Sequence, residues 1–141
     1  ESFKEMVSQG LKALEITLGI RKIQRLGLRY INKLVIHEKS VDIEEYFLLR
    51  PLIPHSNQIN SFVVGILEPH RDGRDSLKVS LQDEEKITDN ELRYVFDLDY
   101  FSQYVDSVST EIILDWMDGA HDVIFSFFEC SLTDKIKKLF E

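Results

Sequence analysis

The feature that most constrains this chain is a segment in which every second side chain is apolar. The apolar positions of this segment are Leu92, Tyr94, Phe96, Leu98 and Tyr100. Because successive side chains of a β-strand point to opposite faces of the sheet, this alternation predicts a strand with one buried face. The chain must therefore supply further strands beside this one and a cover for its apolar face.

Three earlier segments alternate in the same way, at 26–36, 61–69 and 77–81. The pair Asp72-Gly73 lies between the last two and is typical of a hairpin turn. A short helix or turn is predicted at 41–49, ended by prolines. Four strands with mostly short connections predict an antiparallel meander.

A second periodicity, of three to four residues, marks the two ends of the chain and predicts helices. The N-terminal stripe is Phe3, Val7, Leu11, Leu14 and Leu18, with Gly19 at the expected helix end. The C-terminal stripe is Ile113, Trp116, Met117, Ala120, Ile124 and Phe127, after a cap at Ser109 or Thr110. A final short helix is predicted after a capping box at 131–134. The predicted fold class is α+β, a two-layer sandwich in which a four-stranded antiparallel meander packs against an N-terminal helix and a long C-terminal helix.

Length and charge narrow the function. A chain of 141 residues fits a single α+β domain, 1–141. The net charge of −8 opposes the field that non-specific nucleic-acid binding requires. No apolar run approaches the roughly 18 residues of a membrane span and no signal peptide is visible, so we expect a cytoplasmic protein without membrane or nucleic-acid partners. The single cysteine, Cys130, excludes an intramolecular disulfide and is predicted to be a small buried side chain.

Common catalytic motifs are missing from the sequence: it has no G-x-S-x-G, no Walker-type glycine loop, no H-E-x-x-H and no C-x-x-C. Asp115, Asp118 and Asp122 share one helical face beside His121, and a metal site there is weighed against a solvated helix face. The solvated face is favoured. We therefore predict no catalytic residues, no metal and no cofactor, and we favour a protein that is not an enzyme.

The first strand carries two features that could bind a ligand. Arg25, Arg29 and Lys33 share one face, about 13 Å between each and the next, and could bind an anion. Pairing with Asp97 and Asp99 across the sheet is favoured instead. On the apolar face Asn32 must find a partner, either in the backbone or in a pocket. The candidate ligand-binding residues, between sheet and helix, are Arg29, Tyr30, Asn32, Tyr94 and Trp116.

The C-terminal helix has a second, weaker apolar edge, formed by Leu114, His121, Phe125 and Phe128. This edge could be covered by the core, or it could contact another chain. We treat it as a candidate interface for a homodimer or another protein partner.

Three stretches carry a family resemblance: 25–33 with the pattern R-x-G-L-R-Y-I-N, then 44–47, and the ending 128–140 with S-x-T-D-K-x-K-x-x-F. They resemble the C-terminal portion of a sporadically distributed family of conserved hypothetical proteins from bacteria and archaea. The resemblance implies that the chain is the C-terminal part of a longer protein. That family has no established activity, so it implies no catalytic residues.

Two functional hypotheses follow. The leading one is a non-catalytic interaction or regulatory domain, because the chain is acidic and lacks a catalytic template. The alternative is a small-ligand-binding or enzymatic α+β domain with a pocket between sheet and helix.

Overall fold

The computed structural model describes residues 2–20, 22–52, 61–84, 90–106 and 108–139 and confirms the α+β class. The helices are α1 (Phe3–Leu18), α2 (Thr110–Ser131) and α3 (Asp134–Lys137), and the strands are β1 (Lys22–Ile36), β2 (Val63–His70), β3 (Asp75–Asp83) and β4 (Leu92–Asp106). Two short 3-10 turns, Ile43–Glu45 and Arg71–Gly73, complete the order. The segment predicted as a helix or turn at 41–49 thus contains a single 3-10 turn.

The sheet is antiparallel throughout, in the order β1-β4-β3-β2. Strands β2, β3 and β4 form the expected meander, whereas β1 pairs with β4 and not with β2. Strand length and side-chain charge explain why β1 pairs with β4. The two strands are each 15 residues long, and β1 places its basic side chains beside the acids of β4.

One face of the sheet forms the core together with α2. Its fully buried side chains come from alternate positions of β3 and β4: Leu77, Val79, Leu81, Phe96, Leu98 and Tyr100. Helix α2 contributes Ile113, Trp116, Ala120 and Ile124, which are its buried apolar residues. The alternation and the helical stripe in the sequence therefore identified the two surfaces that meet.

Helix α1 has the predicted bounds. Ser2 and Glu5 form a capping box, and Gly19 ends the helix in the left-handed conformation with φ 58°. None of its residues is buried. It lies beside α2, where Lys4 pairs with Asp118 at 2.6 Å and the Glu15 carboxylate accepts a hydrogen bond from the Thr110 hydroxyl at 2.8 Å. The acceptor from α1 therefore helps to cap the first turn of α2.

Two local predictions need correction at the C-terminal end. Cys130 is exposed, not buried, because it lies off the apolar stripe of α2. Ser131 does not cap α3: it ends α2, its hydroxyl donates to the Phe127 carbonyl, and Thr133 is the N-cap of α3. Among the described helices, none is long and apolar enough to cross a membrane.

Candidate functional site: a buried carboxylate beside a cleft

The most unusual group in the fold is the carboxylate of Asp75, at the first position of β3. Asp75 lies opposite His70 of β2 and Ser102 of β4, on the face that α2 covers. Its side chain has no solvent exposure. A buried carboxylate is costly unless charged and hydrogen-bonding partners surround it.

Four side chains supply those partners. Arg74 donates to both carboxylate oxygens of Asp75, from Nε at 3.0 Å and from Nη2 at 2.9 Å. The hydroxyls of Tyr100, at 3.1 Å, and Ser102 also donate to it. The Nε of Arg71 lies 3.6 Å from Oδ2, within ion-pair distance. The residues that bind Asp75 thus come from the β2–β3 turn and from β4.

This environment keeps Asp75 ionised. Burial alone would raise the pKa of its carboxyl, but the hydrogen bonds from Arg74, Ser102 and Tyr100 outweigh burial and lower the pKa from 3.8 to about 2. The pKa of the Tyr100 phenol is raised, first by burial and second by its hydrogen bond to the Asp75 carboxylate.

The shift predicts how stability depends on pH. Because the pKa of Asp75 is lower in the folded state, its contribution is fully present above the unfolded pKa near 4 and is lost as the pH falls through about 2. We expect protonation of Asp75 alone to reduce the free energy of unfolding by roughly 2 kcal/mol as the pH falls from near 4 to below about 2. Urea unfolding at a series of pH values, compared with the Asp75→Asn variant, measures the difference. Identical pH slopes for the two proteins would contradict it.

Beside this network lies a cleft of about 510 Å³ between the end of β4, the turn at 71–74 and the first turns of α2. Its lining includes Arg71, Arg74, Ser102, Tyr104, Asp115 and Trp116. Pockets that bind small molecules commonly measure roughly 300–1,000 Å³. The size therefore suits a small organic ligand. Another cavity, of about 90 Å³ between α1 and α2, is apolar and much smaller.

Arg71 is held in the cleft by shape as well as charge. A Cβ at Gly119 of α2 would lie 2.5 Å from the Nη2 of Arg71, so the missing side chain makes room for the guanidinium. Gly119 costs helix stability in the middle of α2, and a side chain at this position would displace the flexible end of Arg71. Within the described part of the chain, the Arg71 side chain makes an ion pair with Asp75 but donates no hydrogen bond. Its N–H groups remain free to bind a ligand.

A second free donor lies at the same cleft. Trp116 lines the cleft and packs against Tyr100 with ring centroids 5.6 Å apart. Its indole Nε1 is buried and has no hydrogen-bond partner among the described residues. Buried polar groups without partners are uncommon in native proteins.

Backbone strain is concentrated at the same place. The non-glycine residues with positive φ in the described ranges are Arg71 at 48°, Asp72 at 57° and Tyr104 at 55°. Two of the three, Arg71 and Tyr104, line the cleft. Non-glycine residues in this conformation cost on the order of 1 kcal/mol or more each and are enriched at binding sites.

The predicted ligand residues do not meet in one pocket. Trp116 alone lines the cleft. Tyr94 is buried about 20 Å along β4 from Tyr100, against Phe47 at 5.0 Å between ring centroids. Asn32 donates to the Phe96 carbonyl at 3.1 Å, which is the backbone alternative considered for it. Tyr30 reaches His121, with its hydroxyl 3.0 Å from Nδ1.

Arg29 lies on the opposite face of the sheet, where the basic residues pair with acids as predicted. Arg29 binds Asp97 through two bonds of 2.7 and 2.6 Å. Arg25 passes over Gly27 and the ring of Phe101 to reach Asp99 at 2.7 Å. The sheet therefore satisfies these charges internally.

The second apolar edge of α2 is divided. Phe128 turns inward and stacks on Phe96 at 5.6 Å between centroids, and Leu114 is half-buried. His121 and Phe125 are exposed and lie 6.1 Å apart. Over the described residues, no group of three or more histidine, cysteine or acidic side chains could hold a metal ion. Asp118 of the acidic face pairs with Lys4 instead.

Sequence reasoning placed Asp72 and Gly73 in a hairpin turn and missed the buried network beside them. The available signal was the apolar phase of β3: Asp75 precedes Leu77, Val79 and Leu81 in the same alternation. A carboxylate in that phase has to be buried and needs cationic partners nearby. No family model, no curated protein and no solved structure matches this chain.

Proposed function

We propose that this chain is a non-catalytic recognition domain that binds a small organic carboxylate in the cleft beside Asp75. One observation carries the proposal: Arg71 presents a guanidinium at the cleft that lies over Gly119, pairs with Asp75 and donates no hydrogen bond within the described residues. Arginine is well suited to bind carboxylates because its planar N–H groups match both oxygens.

Charge counting selects the ligand class. Arg71, Arg74 and Asp75 together carry a charge of +1, since two guanidiniums surround one carboxylate. Asp106 and Asp115 also line the cleft. Asp106 pairs with Lys22, and both acids repel a dianion more strongly than a monoanion. A monoanionic carboxylate is therefore favoured over a dianionic phosphate ester. The remaining lining, with Trp116, Ile112 and Leu26, suits a flat apolar body.

Recognition fits these groups better than catalysis does. The Asp75 carboxylate accepts hydrogen bonds from three side chains, and a pKa of about 2 makes it a weak general base near neutral pH. The Ser102 hydroxyl donates to that carboxylate, but a carboxyl with a pKa of about 2 is too weak a base to activate it efficiently.

The test uses benzoate as the probe and tryptophan fluorescence as the readout. Trp116 is the only tryptophan in the sequence, and it lines the cleft, so its emission reports binding directly. We expect saturable binding of benzoate with a dissociation constant on the order of 1 mM, and weaker binding of phenyl phosphate. Arg71→Ala should weaken benzoate binding at least tenfold.

Arg25→Ala is the matched control. The Arg25 side chain is 47% exposed and that of Arg71 is 45% exposed; each pairs with an aspartate and lies over a glycine. The control variant should bind benzoate like the unmodified protein. No saturable change with benzoate, or an equal loss in both variants, would overturn the proposal. Tighter binding of phenyl phosphate than of benzoate would overturn the preference for a monoanion.

A protein-interaction role is the second candidate, and the exposed pair His121 and Phe125 favours it. With the family resemblance, this pair supports a regulatory domain of a cytoplasmic protein. Under this hypothesis the cleft ligand would regulate an interaction elsewhere on the surface.

A further inference from the structure

Helix α1 presents an apolar surface that the rest of the described chain leaves uncovered. Phe3 is 62% exposed and Met6 57%. Leu14, at the edge of this surface, is 46% exposed and also lines the small cavity toward α2. The inner side of α1 contacts α2 through Lys4 and Glu15. With 3.6 residues per turn, Met6, Gly10 and Ala13 fall on the side of the helix away from those contacts. Exposed apolar patches of this kind mark interaction surfaces.

We propose that this surface binds a second copy of the same chain, with the two α1 helices antiparallel. A two-fold axis between them would place residue i of one helix opposite residue 17 − i of the other. In that single register Phe3 faces Leu14 of the second copy on one flank. Glu5 faces Lys12 of the second copy on the other flank. Apolar and charged residues thus match simultaneously.

The centre of this contact also fits. In the same register Met6 lies between Gly10 and Ala13 of the second helix, where small residues leave room for a long, flexible side chain. A Cβ at Gly10 would have no atom within 4 Å in the monomer, so this glycine is not needed for packing inside the chain. A glycine costs a helix interior about 1 kcal/mol relative to alanine. Close approach of a second helix gives this glycine a role.

A single 16-residue helix is about 24 Å long and buries less than the roughly 800 Å² per partner of a standard interface. We therefore expect a weak dimer, with a dissociation constant on the order of 10–100 μM. Sedimentation of the full chain across this concentration range measures it. Met6→Glu should weaken the dimer at least tenfold, because it places two charges in the apolar contact. Lys78→Glu, on the uncovered face of the sheet, is the control and should leave the dissociation constant unchanged.

Mixing two charge variants tests the register. Lys12→Glu brings two pairs of acidic residues together and Glu5→Lys brings two basic pairs together, so each variant alone should dimerise less. An equimolar mixture restores both opposite-charge pairs and should associate more tightly than either variant alone, while the loss of the Ser2–Glu5 capping box in Glu5→Lys keeps it below the unmodified protein. A chain that remains monomeric at 1 mM would overturn the inference. So would a dimer that Met6→Glu leaves intact, or a mixture that associates no better than its components.

Discussion

Replacing Asp75 by Asn is expected to lower the free energy of unfolding at pH 7 by about 3 kcal/mol. The substitution keeps the size of the side chain but removes the charge that Arg74, Tyr100 and Ser102 bind. Removing one member of a buried ion pair costs about 3–5 kcal/mol. The lower end applies because the Arg74 side chain is 57% exposed and can regain water.

Urea unfolding at pH 7 measures this effect, and Asp72→Asn is the matched control. Asp72 lies three residues earlier, at the exposed tip of the same turn, and makes no ion pair with any residue in the described ranges. Asparagine also tolerates the positive φ of 57° found there. The control should change the free energy of unfolding by less than about 0.5 kcal/mol. A loss below about 1 kcal/mol in Asp75→Asn would show that the network does not stabilise the fold.

The contrast between Asp72 and Asp75 shows where sequence reasoning succeeds and where it fails. Periodicity is a local property, and it predicted the strands, the two long helices and the buried faces of β3, β4 and α2. The network around Asp75 is a tertiary property: Ser102 lies 27 positions further along the chain. The alternation of β3 indicates that Asp75 lies on the buried face, but its partners on β4 became visible only once the strands were paired.

Strand order failed for the same reason. Alternation shows that a segment is a strand, but it does not show which strand it pairs with. The meander assumes that neighbours in sequence pair, whereas β1 pairs with β4. The charge pattern did indicate this pairing, because the preferred ion pair of Arg29 with the acids of β4 requires β1 and β4 to be neighbours.

The stretches behind the family resemblance have structural roles in this fold. Residues 25–33 belong to β1 and bind β4 through Arg25, Arg29 and Asn32. Residues 44–47 contact the C-terminal ending, since Phe47 pairs with Leu132 in an isolated β-bridge. Apart from Leu26, the cleft residues lie outside all three stretches. Packing alone is therefore sufficient to account for these sequence patterns, and the proposed binding site has to be argued from geometry.

Replacing Phe47 by Ala is expected to cost about 4 kcal/mol of unfolding free energy. Phe47 has no solvent exposure and packs edge-on against Tyr94. Its backbone segment also fixes the end of α2: the Leu48 amide donates to the Ser131 carbonyl at 2.8 Å, and the Thr133 amide donates to the Tyr46 carbonyl at 3.1 Å. Truncation leaves a cavity where the segment, the sheet and the C-terminal ending meet.

Phe125→Ala is the matched control for this substitution, because Phe125 is 56% exposed and its loss should cost less than about 1 kcal/mol. Hydrogen exchange should show faster exchange of the Leu48 and Thr133 amides in Phe47→Ala than in the control.

Phe47 contacts Tyr94, about 20 Å along β4 from Tyr100, so a substitution at one end of the core should leave the other end unchanged. Folded Phe47→Ala should therefore still bind benzoate with unchanged affinity, whereas a parallel loss of binding would mean that the C-terminal ending and the cleft are coupled through β4.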